Sequence, residues 1–327
     1  MGNRKTIRPK KTAGPWPHRL AWTLACAVAA MIVSGGLVTS YDAGMDFAGW
    51  FRLPRGGPTF AEQCLNYTHR ALADVVLLAA IAAVAVSWRL DGRKATGRLA
   101  VAALLAVIAQ GLLCGTRMIL DEPMIANAAA CTAPLLLALA AALVTVTSPA
   151  WQQRGAAGRH PAARPLQRWS AATTLGLYLL IVLGAQLRHP WPEAWYGWYL
   201  LWIWSKVILA SVIAVGVVGL LVYVLRRLGD EPVLVRRAEL LAGLLAMQII
   251  LGIAAWVTSF GWPAWFRNCV YTFDYTIAAK GPLQVLSTTA HVAFGSLSLA
   301  VSVVVTLWAF RLIEPNTARG GKPDKSG

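Results

Sequence analysis

Residues 66–86 read Asn66-Tyr67-Thr68-His69-Arg70-Ala71-Leu72-Ala73-Asp74 and then VVLLAAIAAVAV, twelve apolar residues without a break. Extended back to Cys64 and on to Trp88, the stretch is long enough to cross a hydrocarbon core, which takes about 20 residues as a helix. An imidazole, a guanidinium and a carboxylate at its start are costly in lipid and mark a candidate site. Seven other segments have the same apolar character. The eight lie near 19–40, 64–88, 99–119, 124–148, 169–187, 199–225, 238–258 and 282–310. The whole chain agrees: 57% of its 327 residues are hydrophobic, 13% are charged and the mean hydropathy is +0.56. This composition excludes a soluble domain and predicts an all-α integral membrane protein.

The net charge of +16 raises the question of a nucleic-acid partner, and its distribution argues against one. Of the 30 Lys and Arg residues, 22 fall in the N-terminal tail, the loops after segments 2, 4 and 6, and the C-terminal tail. That alternation is the positive-inside pattern, so a multi-pass protein of the cell membrane with both termini cytoplasmic is expected. Trp191, Trp195, Trp198, Trp202, Trp262 and Trp265 gather at the other, outer side, as an interfacial belt does. The basic tail, 1–18, lacks a small-residue cleavage signal, so the first segment reads as an anchor. Five cysteines are scattered without CxxC or metal-type spacing.

A polar linker, 149–168, separates an N-terminal half, 19–148, from a C-terminal half, 169–311, and a second tail covers 312–327. The halves resemble each other. Ile32-Val33-Ser34-Gly35-Gly36 parallels Ile181-Val182-Leu183-Gly184-Ala185; Ala109-Gln110 parallels Met247-Gln248; Leu135-Leu136-Leu137-Ala138 parallels Leu297-Ser298-Leu299-Ala300. Four spans per half preserve orientation, so two pseudo-symmetric four-helix bundles related by a parallel duplication are expected. In this register His291 falls opposite Ala129 and His69 opposite Ser205.

His69 and His291 are the deeply placed imidazoles. An imidazole donor beside small residues (Ser287, Thr288, Gly295 and Ser298 around His291) suits a haem held between helices. Arg70, Arg117 and Arg188, at outer helix ends, are placed to pair with porphyrin propionates. The same small residues also make ordinary helix seams, and a buried histidine can serve by hydrogen-bonding a neighbouring carbonyl. From the residues alone both readings stay open. Lys206 is expected to snorkel to the outer surface. No nucleotide loop, serine-nucleophile motif or zinc motif is present.

Taken in order, these stretches resemble the haem A synthases, eight-helix membrane enzymes made of two similar halves. The resemblance is carried by Gly35-Gly36-Leu37-Val38-Thr39, Thr68-His69-Arg70, Gln110-Gly111-Leu112-Leu113-Cys114-Gly115-Thr116-Arg117, Leu187-Arg188-His189 and Thr289-Ala290-His291. It implies oxidation of the C8 methyl of haem O to the formyl of haem A, with haem O as substrate, His69 near it, and a haem b cofactor on His291. It also implies partners: membrane lipid, a haem O-producing farnesyltransferase and terminal oxidase assembly. The departures are specific. The family places histidines in helices 2, 4, 6 and 8, whereas Ala129 and Ser205 stand at two of those positions here. The family's helix 2 glutamate is Asn66, and Glu62 replaces it only if the chain bends. A catalytically inactive haem-binding or oxidase-assembly homologue is the alternative on this scaffold. A transporter using Asp74 and Lys206 is a third reading.

Overall fold

In the computed structural model the described residues are 14–41, 59–120, 122–153, 158–160, 162–189, 196–269 and 279–315. Eight of their helices are long and apolar enough to cross a membrane. They are α1 Trp16–Ser40, α2 Phe60–Val86, α3 Lys94–Leu120, α4 Pro123–Thr147, α5 Ala163–Arg188, α6 Tyr196–Arg227, α7 Pro232–Phe260 and α8 Pro282–Leu312. Helix is the form required, because the hydrocarbon core offers no partner for a free backbone N–H or C=O. An even number of crossings returns the C-terminus to the side of the N-terminus, here called the terminal end. The opposite is the far end.

Helix boundaries follow local chemistry. Proline supplies the first residue of α4, α7 and α8, where its missing N–H costs nothing. A capping box starts α2: the Thr59 N–H donates to Glu62 Oε2 at 2.7 Å, and the Glu62 N–H donates to Thr59 Oγ1 at 3.4 Å. A π turn, Ser87–Asp91, ends the same span, and Gly92 follows with φ +65°, a left-handed conformation suited to glycine. Several spans are longer than their apolar cores. α1 begins at Trp16 inside the basic tail, α5 begins at Ala163 inside the linker, and α7 begins at Pro232. The linker also carries a short helix, Pro149–Gln153, and a three-residue strand, Gly158–His160, that pairs in parallel with Ile313–Pro315 after α8.

Packing divides at the linker. α1 packs on α2 and α4, and α3 on the same two; α5 packs on α6 and α8, and α7 on the same two. Within each half, α2 and α4, or α6 and α8, therefore stand on a diagonal. α4 and α8 join the halves, with α1 against α8 and α4 against α5. Two apolar cores result. One is built on Leu24, Val28, Val76, Leu136 and Leu143 and takes in Ala300 of α8; the other is built on Leu166, Val217, Leu220, Leu241 and Trp308 and takes in Ala138 of α4. The exchange is reciprocal, and it involves the two alanines that the sequence register aligned.

These cores favour the terminal end. α2 has buried residues at Val76, Ala79, Ala80 and Ala83 and none in its first four turns. The far-end turns of α2, α6 and α7 are half-buried or exposed. Large side chains such as Leu78, Val215 and Ile253 are 66%, 74% and 55% exposed, as lipid-facing residues are.

Candidate functional site

His69 and His291 lie at the same depth. Each comes nine residues after the first residue of its helix, Phe60 or Pro282, which is about 13 Å along the axis. The sequence reading started α2 at Cys64 and so set His69 about 8 Å in. The capping box accounts for the difference.

His69 rests against α1. A Cβ built on Gly35 would lie 3.0 Å from His69 Cε1, so only glycine admits the ring at this distance. Its Nδ1 is 2.8 Å from Ser34 Oγ. The Ser34 hydroxyl donates to the Met31 carbonyl at 3.1 Å, which leaves the oxygen to accept. With the hydroxyl proton on Met31, His69 carries its own proton on Nδ1; with the hydroxyl proton directed to Nδ1, the ring is the other tautomer.

His291 repeats the device on another pair of helices. A Cβ on Gly252 of α7 would lie 3.0 Å from His291 Cε1. Its Nδ1 donates to the Gln248 carbonyl at 3.2 Å, and a carbonyl can only accept. Nε2 carries the lone pair, facing the Gln248 side-chain amide at 3.4 Å. Beside it, Gln248 Oε1 is buried without a hydrogen-bond partner; Thr289 Oγ1, also unpartnered, lies against Gly36 of α1. Orphaned polar atoms of this kind ask for a further group.

The equivalent glutamine of the N-terminal half, Gln110, reaches α4 at Ala129: its side-chain amide donates to the Ala129 carbonyl at 3.1 Å and Thr132 Oγ1 donates to its Oε1. Thus Gln110 meets Ala129 where Gln248 meets His291, as the register expects. The same network is closed in one half and open in the other.

Lys206 departs from its sequence reading. Instead of snorkelling outward it turns into the bundle, where a Cβ on Gly184 would lie 3.1 Å from Nζ. Glu62, offered by sequence as a substitute for the missing carboxylate, is held in the capping box two turns before His69, and α2 runs between them without a break. Asn66 is half-buried and lies three residues before His69.

A basic cluster closes the far end. Arg188 Nη2 donates to the Gly36 carbonyl at 3.1 Å and to Ser40 Oγ at 2.9 Å, tying α5 to α1. Asn127 donates to the His189 carbonyl at 2.9 Å. Burial, with the charges of Arg117 and Arg188, pushes His189 down to about 4, so it is neutral near pH 7. The remaining N–H groups of Arg188, with Arg117 close by, make this end attractive to an anion. Arg70 follows His69 directly and is half-buried.

Among the described residues, no three or more His, Cys, Asp or Glu side chains gather as a metal cage. Two separate imidazoles, each oriented by a hydrogen bond at Nδ1, suit a metal that brings its other ligands with it. Sequence reasoning had singled out both histidines and the arginines as candidates. It missed Ser34 and Gly252 as partners of the imidazoles, although Gly35 and Gln248 were already marked by the repeat. No protein-family model matches this chain, and no curated protein sequence matches it.

Proposed function

We propose that this multi-pass membrane protein is an intramembrane haem protein of the haem A synthase type, holding one haem in each half. The carrying observation is the shared state of the two imidazoles. Each is hydrogen-bonded at Nδ1, His69 to Ser34 Oγ and His291 to the Gln248 carbonyl, and each lies nine residues into its helix. This is the arrangement of a histidine that serves a metal, its second nitrogen oriented by a hydrogen bond. The residues fit the group in one further respect: Gln248 Oε1, beside His291, is buried without a hydrogen-bond partner. The exchange of Ala138 and Ala300 and the matched contacts of Gln110 and Gln248 support the duplicated plan.

His69 would hold haem O, the substrate, and His291 haem b. Haem supplies a redox-active iron. The chain supplies orientation through Ser34 and Gln248, and cationic ends at Arg70, Arg117 and Arg188 for the propionates. With the termini cytoplasmic, the sites open toward the outer half of the bilayer, and lipid, a haem O-producing farnesyltransferase and an assembling terminal oxidase are the partners. A second reading, a non-catalytic haem carrier, is favoured by one observation: the nearby carboxylate, Glu62, caps its helix and does not approach His69.

The experiment is direct. The protein is expressed with ample haem, purified and examined for a Soret band; His291→Ala should lose the haem of its half. Co-expression with a haem O source separates the readings. Haem A, or its hydroxylated intermediate, in extracted pigment supports the enzyme, and unchanged haem O supports the carrier.

A further inference from the structure

We propose that the cleft between the π turn and the start of α3 holds the phosphate headgroup of an anionic phospholipid. The cleft lies at the terminal end. Ser87, in its wall, comes 18 residues after His69 on the same span, about 27 Å along the axis. The proposal is therefore independent of the haem reading.

The cleft has a volume of about 410 Å³ and is walled by Ser87, Trp88 and Gly92 on one side and by Lys94, Gly97 and Arg98 on the other. Arg93, also in the wall, is already engaged. It binds both carboxylate oxygens of Asp91 and donates to the Val146 carbonyl at 3.0 Å, a neutral pair that pins the turn to α4. Lys94 and Arg98 are exposed and have neither hydrogen bond nor ion pair among the described residues. They stand four residues apart on one face of α3, where like charges repel unless an anion lies between them.

The opposite wall adds neutral donors. Ser87 is only 2% exposed, yet its hydroxyl has no partner among the described residues, although a helical serine commonly turns back on a carbonyl one turn earlier. Trp88 lies on α3 at Gly97, where a Cβ would fall 2.7 Å from Cδ1 and 2.8 Å from Nε1, so glycine is what admits the indole. No acidic residue occupies the first turn of α3, and its free N–H groups keep the positive end of that helix open to an anion.

The surroundings favour a lipid over a soluble phosphate. Val101 continues the cleft one turn further, and Leu105, Ile108 and Leu112 follow it along α3 at spacings of three and four, all exposed, as a track for an acyl chain. Trp88 is exposed where the apolar run of α2 ends, the level at which tryptophan meets headgroups. A basic pocket between spans, on the side where Lys and Arg collect, is a form that anionic headgroups select. The turn between α6 and α7 differs: Asp230 and Glu231 precede Pro232 there, and their charges repel such a headgroup.

The test uses the full-length protein in nonionic detergent, with bound lipid counted by native mass spectrometry during titration with phosphatidylglycerol or phosphatidylcholine. Wild type should bind one phosphatidylglycerol in preference to phosphatidylcholine, and inorganic phosphate at the same concentration should not displace it. A cation near an anionic headgroup is worth about fivefold in affinity, so Lys94→Gln with Arg98→Gln should weaken binding roughly 25-fold. Arg226→Gln with Arg227→Gln removes the same charge at the other turn and should leave binding unchanged. Equal weakening by both double variants, or equal binding of phosphatidylcholine, overturns the proposal. Displacement by inorganic phosphate assigns the cleft to a soluble phosphate and overturns the lipid. Should the Lys94→Gln, Arg98→Gln protein be unstable, Lys94→Arg with Arg98→Lys decides: it keeps both charges, so retained binding supports the site and lost binding contradicts it.

Discussion

The far-end halves of the two bundles use the same parts and finish them differently. In the N-terminal half the imidazole sits on α2 against α1, where a serine is its partner, and Gln110 of α3 is occupied by Ala129 and Thr132 of α4. In the C-terminal half it sits on α8 and is steered by a backbone carbonyl of α7, against Gly252. The glycine cradle is common to both. One framework can therefore present a nitrogen donor from either diagonal helix. The partner of the equivalent glutamine, Ala129 with Thr132 for Gln110 and His291 for Gln248, sets how the two halves differ.

The largest test of this comparison removes the donors. His69→Ala and His291→Ala should each abolish one haem and leave the other, read by pyridine haemochrome per mole of protein. Loss of both from either change would show a single shared site. Next comes steering. Ser34→Ala leaves His69 in place without its Nδ1 partner, and about 10- to 100-fold weaker haem retention is expected from the loss of such an orienting bond. Transfer of haem to an apo-acceptor measures it, and the His291 haem should transfer at the wild-type rate. Gly35→Ala and Gly252→Ala press a methyl group on the rings at 3.0 Å. Overpacking of this kind costs roughly 1–3 kcal/mol, and retention should fall in the half that carries the change.

Smaller effects concern the frame. Thr59→Ala removes the cap of α2 and should lower stability by about 0.5–2 kcal/mol, read as a shift in Tm, with His69 displaced more than His291. The smallest is a pH effect at the basic end. His189 is held down to about 4, below its usual value near 6.5. The unfolded chain binds this proton at a higher pH than the folded one, so stability is full above about 6.5 and declines as pH falls toward 4. His189→Gln should flatten that decline in a Tm series from pH 7 to pH 4.5, and an unchanged slope would place the titrating group elsewhere.

Much of the frame was legible because lipid leaves few choices. Eight apolar runs gave eight helices, and both deep histidines stood out as exceptions to hydrophobicity. Boundaries were harder, since polar first turns extend a helix beyond its apolar core. The Thr59-x-x-Glu62 signature was present in the sequence and sufficed to start α2 at Phe60. The short pairing of Gly158–His160 with Ile313–Pro315 had no readable signal, because three residues show no periodicity. Lys206 misled for a different reason. A lysine near a helix end usually reaches outward, and its direction here depends on the space that Gly184 leaves on a neighbouring helix. The steering of His291 was equally hidden, since its partner is a backbone carbonyl that any residue at position 248 would supply.

The most direct measurement is the haem content of the purified full-length protein after expression with ample haem, compared with the His69→Ala, His291→Ala double variant. The expected result is a Soret band in the wild type, with one haem for each imidazole, and none in the double variant. A colourless wild type, or a double variant that keeps its colour, contradicts the assignment of these rings to iron.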